Sequence, residues 1–163
     1  MFPLSVGKLI FIACIVAVCA GSGTAQAKGS FPGFLVRMDA AQRELQQGKA
    51  EAYKALWSHS DDVTLSGGFG GKIEKGWANV AGRLDWVAKQ FSNGNNRIDR
   101  LVSTARGDLA YVVQSEHIEF ELPGMNSRST KDYRVTMVFR KESGGWKIIH
   151  RQADSNLTKA SPQ

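Results

Sequence analysis

Cysteine is almost missing from this chain: Cys14 and Cys19 are the only two, and both fall within the first twenty-seven residues. Everything after residue 27 therefore lacks disulfide staples, cysteine nucleophiles and thiolate metal sites. Histidine is scarce as well, and His59, His117 and His150 show no close ligand spacing, so no metal is expected. There is no arginine-rich tract. Basic residues stand beside acidic ones, as in Arg43-Glu44, Lys72-Glu74-Lys75 and Asp99-Arg100. That is the pattern of a solvated face, and no nucleic acid is expected as a partner. The glycine run Gly67-Gly68-Phe69-Gly70-Gly71 lacks the Walker lysine spacing and the strand–helix dinucleotide fingerprint. Its glycines instead free the backbone for a bend against a pocket wall.

Long apolar runs are limited to one, Leu9 to Ala20, which is short for a bilayer span and follows the single positive charge of Lys8. Ala25-Gln26-Ala27 then supplies an A-x-A cleavage site, so residues 1–27 read as a signal peptide and the exported chain starts near Lys28. A lipoprotein would need acylation at Cys19, where the preceding Val18 is a poor fit. A periplasmic or secreted protein with no stable membrane anchor is expected. Residues 28–33 read as a flexible leader, 34–154 as one domain long enough to bury a core, and 155–163 as a loose tail.

Within the domain, helical spacing of Phe34, Leu35, Met38, Ala41 and Leu45 predicts a helix over Phe34–Gln47. A short helix follows over Ala50–Trp57, a strand at Val63–Leu65, and a third helix over Gly76–Phe91. Four strands close the chain: Ile98–Ala105, Leu109–Glu121, Lys131–Lys141 and Trp146–Ala153, with turn signals between them. Helices first and strands later predict an α+β layout, with helices on one face of a curved antiparallel sheet. In the last hairpin, joined at Ser143-Gly144-Gly145, strict alternation puts Tyr133, Val135, Met137 and Phe139 on one face. It also puts Trp146, Ile148, His150 and Gln152 together. An apolar row that turns polar fits either a pocket lining or the rim of a core. Of Glu116 and His117 only one can face inward, and alternation leaves both open.

Three ordered blocks carry a family resemblance: DDVTLSGGFGGKIEKGW (Asp61 to Trp77), GDLAYVVQSE (Gly107 to Glu116) and RVTMVFRKESGGWKIIHRQAD (Arg134 to Asp154). Together they resemble the SnoaL-like, ketosteroid-isomerase-like proteins of the nuclear transport factor 2-like superfamily, over roughly Phe34 to Asp154. The resemblance implies a cone-shaped cavity between helices and sheet, with polar residues near its mouth, and it favours Glu116 over His117. It makes Glu116, Arg134 and His150 the candidate catalytic residues and Trp57, Trp77, Phe69 and Asp154 the candidate ligand contacts; a Glu116–Arg134 ion pair, joined by His150 or Asp154, that serves structure alone is the favoured alternative to catalysis. On the residues alone Trp57 and Trp77 sit on apolar helix stripes that favour core packing over ligand stacking, and His59 and Asp62 fit a polar turn. The chain departs from ketosteroid isomerases where their proton-abstracting aspartate becomes Gly67, and from other relatives where a second histidine becomes Gln152. The expected function is cofactor-free binding of a small apolar or weakly acidic molecule. The alternatives are a general acid–base isomerase, lyase or hydrolase, and a non-catalytic interaction module. The resemblance also implies a homodimer through the outer sheet face, where Val138 and Ile149 are expected.

Overall fold

The computed structural model describes residues 29–125 and 127–155; residues 1–27, where a signal peptide is expected, and the tail after residue 155 lie outside the described residues. Helix α1 spans Phe31–Leu45. It starts three residues earlier than periodicity predicts because Ser30 caps it: its hydroxyl accepts from the Gly33 N–H at 3.2 Å. Pro32 in the first turn has no N–H to leave unpaired. The short α2 is Glu51–Lys54 and α3 is Trp77–Ala88. The described residues also form six strands: β1 Thr64–Ser66 and β2 Glu74–Lys75 between α2 and α3, then β3 Ser92–Arg106, β4 Leu109–Glu121, β5 Arg128–Glu142 and β6 Gly145–Asp154 after α3.

The strands form one curved, unclosed sheet in the order β2-β1-β6-β5-β4-β3. All neighbours are antiparallel except β1 and β6, which run parallel with Thr64 opposite His150 and Leu65 opposite Arg151. The two-residue β2 carries no sequence signal of its own. Strand β3 begins six residues before the expected Ile98, absorbing Ser92-Asn93-Gly94-Asn95-Asn96, which reads as a turn. It does so through a bulge between Ser92 and Asn95 and a left-handed Asn93 at φ 48°. Gly94 is needed there: its N–H donates to the Gln46 carbonyl at 3.0 Å, and a Cβ would lie 2.4 Å from that oxygen.

The inner sheet face and the helices share one core. Phe34, Leu35 and Met38 of α1 and Val80 and Leu84 of α3 are buried with Val112, Phe120, Val135, Met137, Phe139, Trp146 and Ile148. Phe31 packs its ring 5.1 Å from both Phe139 and Trp146.

One irregularity overturns the expected facing of β6. Phe139 pairs with Ile148, yet its neighbour Val138 pairs with His150, so Ile149 is an extra residue in β6. Such a bulge shifts the alternation by one. Trp146 and Ile148 point inward as expected; beyond the bulge Arg151 and Ala153 take the inward positions. His150, Gln152 and Asp154 turn to the outer face, paired with Val138, Thr136 and Arg134. Ile149, expected outside, packs partly buried against the core.

Candidate functional site

The inner face of β4 places Ala110, Val112, Gln114, Glu116, Ile118 and Phe120 in one buried row, so Glu116 faces inward and His117 outward. A carboxylate with no exposed side-chain surface must be compensated. Three donors converge on it. Gln114 Nε2 donates to Glu116 Oε1 at 2.7 Å. Gln42 Nε2 and an Arg151 terminal nitrogen donate to Oε2 at 2.8 and 2.7 Å. Outward from this cluster, Arg100 donates to Gln114 Oε1 at 3.1 Å and forms an ion pair with Asp39 at 2.7 Å. The buried amide of Gln114 thus has both ends satisfied, its NH2 by Glu116 and its oxygen by Arg100.

In front of the cluster lies a cavity of about 510 Å³, its open mouth included. It is a narrow slot. Gln42 and Leu45 of α1, its capping residue Gln46 and Tyr53 of α2 line one side; Leu84, Val87 and Phe91, on and just after α3, line another. Ile118, Tyr133 and Arg151 rise from the sheet, and the Gly67-Gly68-Phe69 bend closes the end. Gly68 lies against the Tyr133 ring so closely that a Cβ would sit 2.2 Å from its Cε1. Phe69 is held by Trp86 and Phe91, with ring centroids 5.6 and 5.5 Å away.

Three polar atoms in this lining are buried without a hydrogen-bond partner, Gln42 Oε1, Gln46 Oε1 and the Tyr133 hydroxyl, while the Tyr53 hydroxyl lies against Arg151. Native proteins leave few such atoms. Burial pushes the Tyr53 phenol up to about 12, with Arg151 opposing and Glu116 adding to the rise. Burial likewise pushes Tyr133 up to about 12, again with Arg151 opposing and Glu116 adding. Burial works against the Arg151 charge, but Glu116 and the two tyrosines outweigh it and its pKa is raised. At neutral pH the polar end therefore presents a guanidinium, two intact phenols and two amide oxygens. Among the described residues no carboxylate or imidazole lines the cavity, and Glu116 stands behind Gln42 and Arg151.

The other sequence-predicted residues are dispersed. Arg134 pairs with Asp154 at 2.6 Å on the outer face, both well exposed, so it is not the partner of Glu116. His150 shares a 2.7 Å hydrogen bond with Thr64 Oγ1 on that same face, and burial lowers its pKa. The expected grouping of Glu116, Arg134 and His150 fails because the Ile149 bulge and strand alternation put the last two on the opposite side of the sheet. His117 bonds Asp132 at 2.6 Å, also outside. Trp57 is fully buried core, bracketed by backbone bonds from β6, and does not line the cavity. Trp77 stacks on His59 with ring centroids 4.0 Å apart, away from the slot. Asp62 is tied to Arg140 and Ser60; its pKa drops to about 2, chiefly through the Arg140 hydrogen bond. Of the predicted ligand contacts only Phe69 lines the cavity.

The sequence reading passed over Gln42, Gln46, Tyr53, Gln114, Tyr133 and Arg151 as site residues. A signal for the first two existed: they lie four residues apart on the stripe that buries Met38 and Leu45, where polar residues are out of place.

The family model of the SnoaL-like domain matches residues 35–154. Among solved structures, a nuclear transport factor 2-like superfamily protein from Salmonella enterica superposes with a TM-score of 0.69 at 18% identity, covering 84% of this chain and 96% of that one. A Streptomyces avermitilis protein provisionally described as a dehydratase of the NTF2-like family gives 0.64 at 18% identity, covering 77% and 93%. A Novosphingobium aromaticivorans protein provisionally described as a scytalone dehydratase gives 0.64 at 14% identity, covering 79% and 86%. At these identities the likeness is one of fold. No curated protein sequence matches this chain.

Proposed function

This chain belongs to the SnoaL-like domain family, and from that premise we propose that it binds one small, largely apolar molecule in the slot between α1, α3 and the sheet. The observation that carries the reading is the lining itself. Apolar walls from Leu45, Leu65, Leu84, Val87, Phe91 and Ile118 lead to a polar end where three buried polar atoms have no partner. A few convergent polar groups at the end of an apolar cleft are what orients a bound organic molecule. Binding without acid–base turnover is favoured over the enzyme reading, because Glu116 is engaged by three donors behind the lining and His150 and Arg134 lie across the sheet.

Val87→Trp tests the site. Val87 is half-buried on the rim, so the larger ring can enter the slot without opening the core. A screen of small aromatic and alicyclic compounds by thermal shift should give ligands that stabilise the parent and lose that effect in the variant. Equal stabilisation of both proteins would place binding elsewhere.

Two further parts of the reading concern context. Export with removal of residues 1–27 is supported by the Lys8, apolar-run and A-x-A pattern. A homodimer is supported by an outer-face groove beside Leu109, Tyr111 and Val138, where Leu109 and Tyr111 are 55% and 43% exposed.

A further inference from the structure

The unpartnered atoms also say which kind of molecule fits, on the reading that the slot is a ligand site. We propose that the ligand is an uncharged ring compound carrying a hydroxyl group, with the O–H donating to Gln42 Oε1 and the hydroxyl oxygen accepting from Tyr133 or Arg151.

The orientation of Gln42 is fixed by chemistry. An ionised carboxylate only accepts hydrogen bonds, so the amide NH2 must face Glu116, which it does at 2.8 Å. The amide oxygen is thereby turned away, is buried, and has no partner. It can only accept, so whatever satisfies it must bring a donor. Gln46 Oε1 repeats the requirement beside it. The phenols of Tyr53 and Tyr133 can each donate to an oxygen of the same ligand group. A hydroxyl offers both functions on one atom; an ether or a plain ketone offers only the accepting half.

Charge decides the rest. The Arg151 guanidinium is already paired with Glu116 at 2.7 Å, and Arg100 outside it with Asp39, so the polar end is close to neutral. A carboxylate ligand would lose its water shell and gain only a guanidinium whose charge is already balanced; it would also face two amide oxygens. An ammonium would face Arg151. The slot's thinness and its wall of Phe69, Phe91, Leu84 and Ile118 fit a flat apolar body of one or two rings.

Calorimetric titration of the purified protein at neutral pH with four compounds of one shape tests this: 2-naphthol, 2-methoxynaphthalene, 2-naphthoate and 2-naphthylmethylammonium. The naphthol should bind about tenfold more tightly than its methyl ether, the value of one well-made hydrogen bond to a buried acceptor, and more tightly than either ion. Gln42→Met should bring naphthol and ether to within about twofold of each other. Tyr133→Phe, which keeps the ring and the Glu116 cluster, should weaken naphthol and ether by similar factors, since both oxygens can accept from Tyr133. Where Gln42→Met fails to fold, the parent's preference for naphthol over ether, kept in this variant, decides the matter. Equal binding of naphthol and ether, or tighter binding of either ion, would overturn the hydroxyl assignment while leaving the slot as a ligand site. If no compound binds, and none of the thermal-shift ligands depends on Val87, the pocket reading falls and takes this inference with it.

Discussion

Replacing Glu116 by glutamine isolates the charge at the heart of the fold. The substitution keeps the shape of the side chain but removes the negative partner of Arg151, 2.7 Å away, at a position with no side-chain exposure. It also turns an NH2 toward one side of a carboxylate whose two oxygens both accept: Gln114 Nε2 on one side, Gln42 Nε2 and Arg151 on the other. One donor must then face another donor. Stranding one member of a buried pair costs about 3–5 kcal/mol. Arg151 borders the slot and keeps 11% of its side-chain surface, so water there can offset part of the loss. The lower end, about 3 kcal/mol, is the expectation. Urea unfolding should show a lower midpoint at unchanged slope, and for a domain of this size Tm should fall by roughly 10 °C. The double variant Glu116→Gln with Arg151→Met should recover part of the loss, since no charge is then left alone. Stability within about 1 kcal/mol of the parent would refute the reasoning, because it would mean that the buried cluster holds nothing together.

Three other outcomes follow from the same coordinates. Trp146→Ala should cost about 3–5 kcal/mol, because its ring is buried against Phe31; a loss below about 1 kcal/mol in chemical denaturation would put Trp146 outside the core. Gly68→Ala should destabilise by about 1–3 kcal/mol and weaken ligand binding, since the new methyl would meet the buried Tyr133 ring; unchanged melting would show that the bend can yield. The His117 pKa is raised above 6.5 mainly by its hydrogen bond to Asp132, with desolvation opposing and Glu119 adding. The pair therefore contributes most at pH values below that of a free histidine and is lost as pH rises through the folded value. In an NMR titration Asp132→Asn should bring the His117 midpoint down; an unmoved midpoint would discard the pairing.

What could be read from the residues divides along a physical line. The α1 stripe, the burial of Trp146 and Ile148 and the long β4–β5 hairpin follow from local periodicity, and local periodicity is in the sequence. The β6 bulge is not. Ile148-Ile149-His150 contains no glycine or proline to mark it, and an extra residue is accommodated because pairing with β1 aligns Thr64 with His150 and Leu65 with Arg151. That pairing is long-range, and with it the inward residue beyond Ile148 changed from His150 to Arg151. The early start of β3 has the same origin: Ser92 to Asn96 has turn composition, but the contact of Gly94 with the Gln46 carbonyl draws it into the sheet. Glu116 was legible through the family resemblance. Gln42 and Gln46 were legible as polar residues on an apolar stripe, had the stripe been read for its exceptions.

The central claim is that a small molecule sits in the slot with its polar group at Gln42, Tyr133 and Arg151. A crystal structure of the protein with 2-naphthol tests it most directly. The account predicts density for one naphthol between α1, α3 and the sheet, its oxygen within hydrogen-bonding distance of Gln42 Oε1, and its rings against Phe69 and Phe91. A naphthol seated instead in the outer-face groove beside Leu109 and Tyr111, with the slot unchanged, would contradict it.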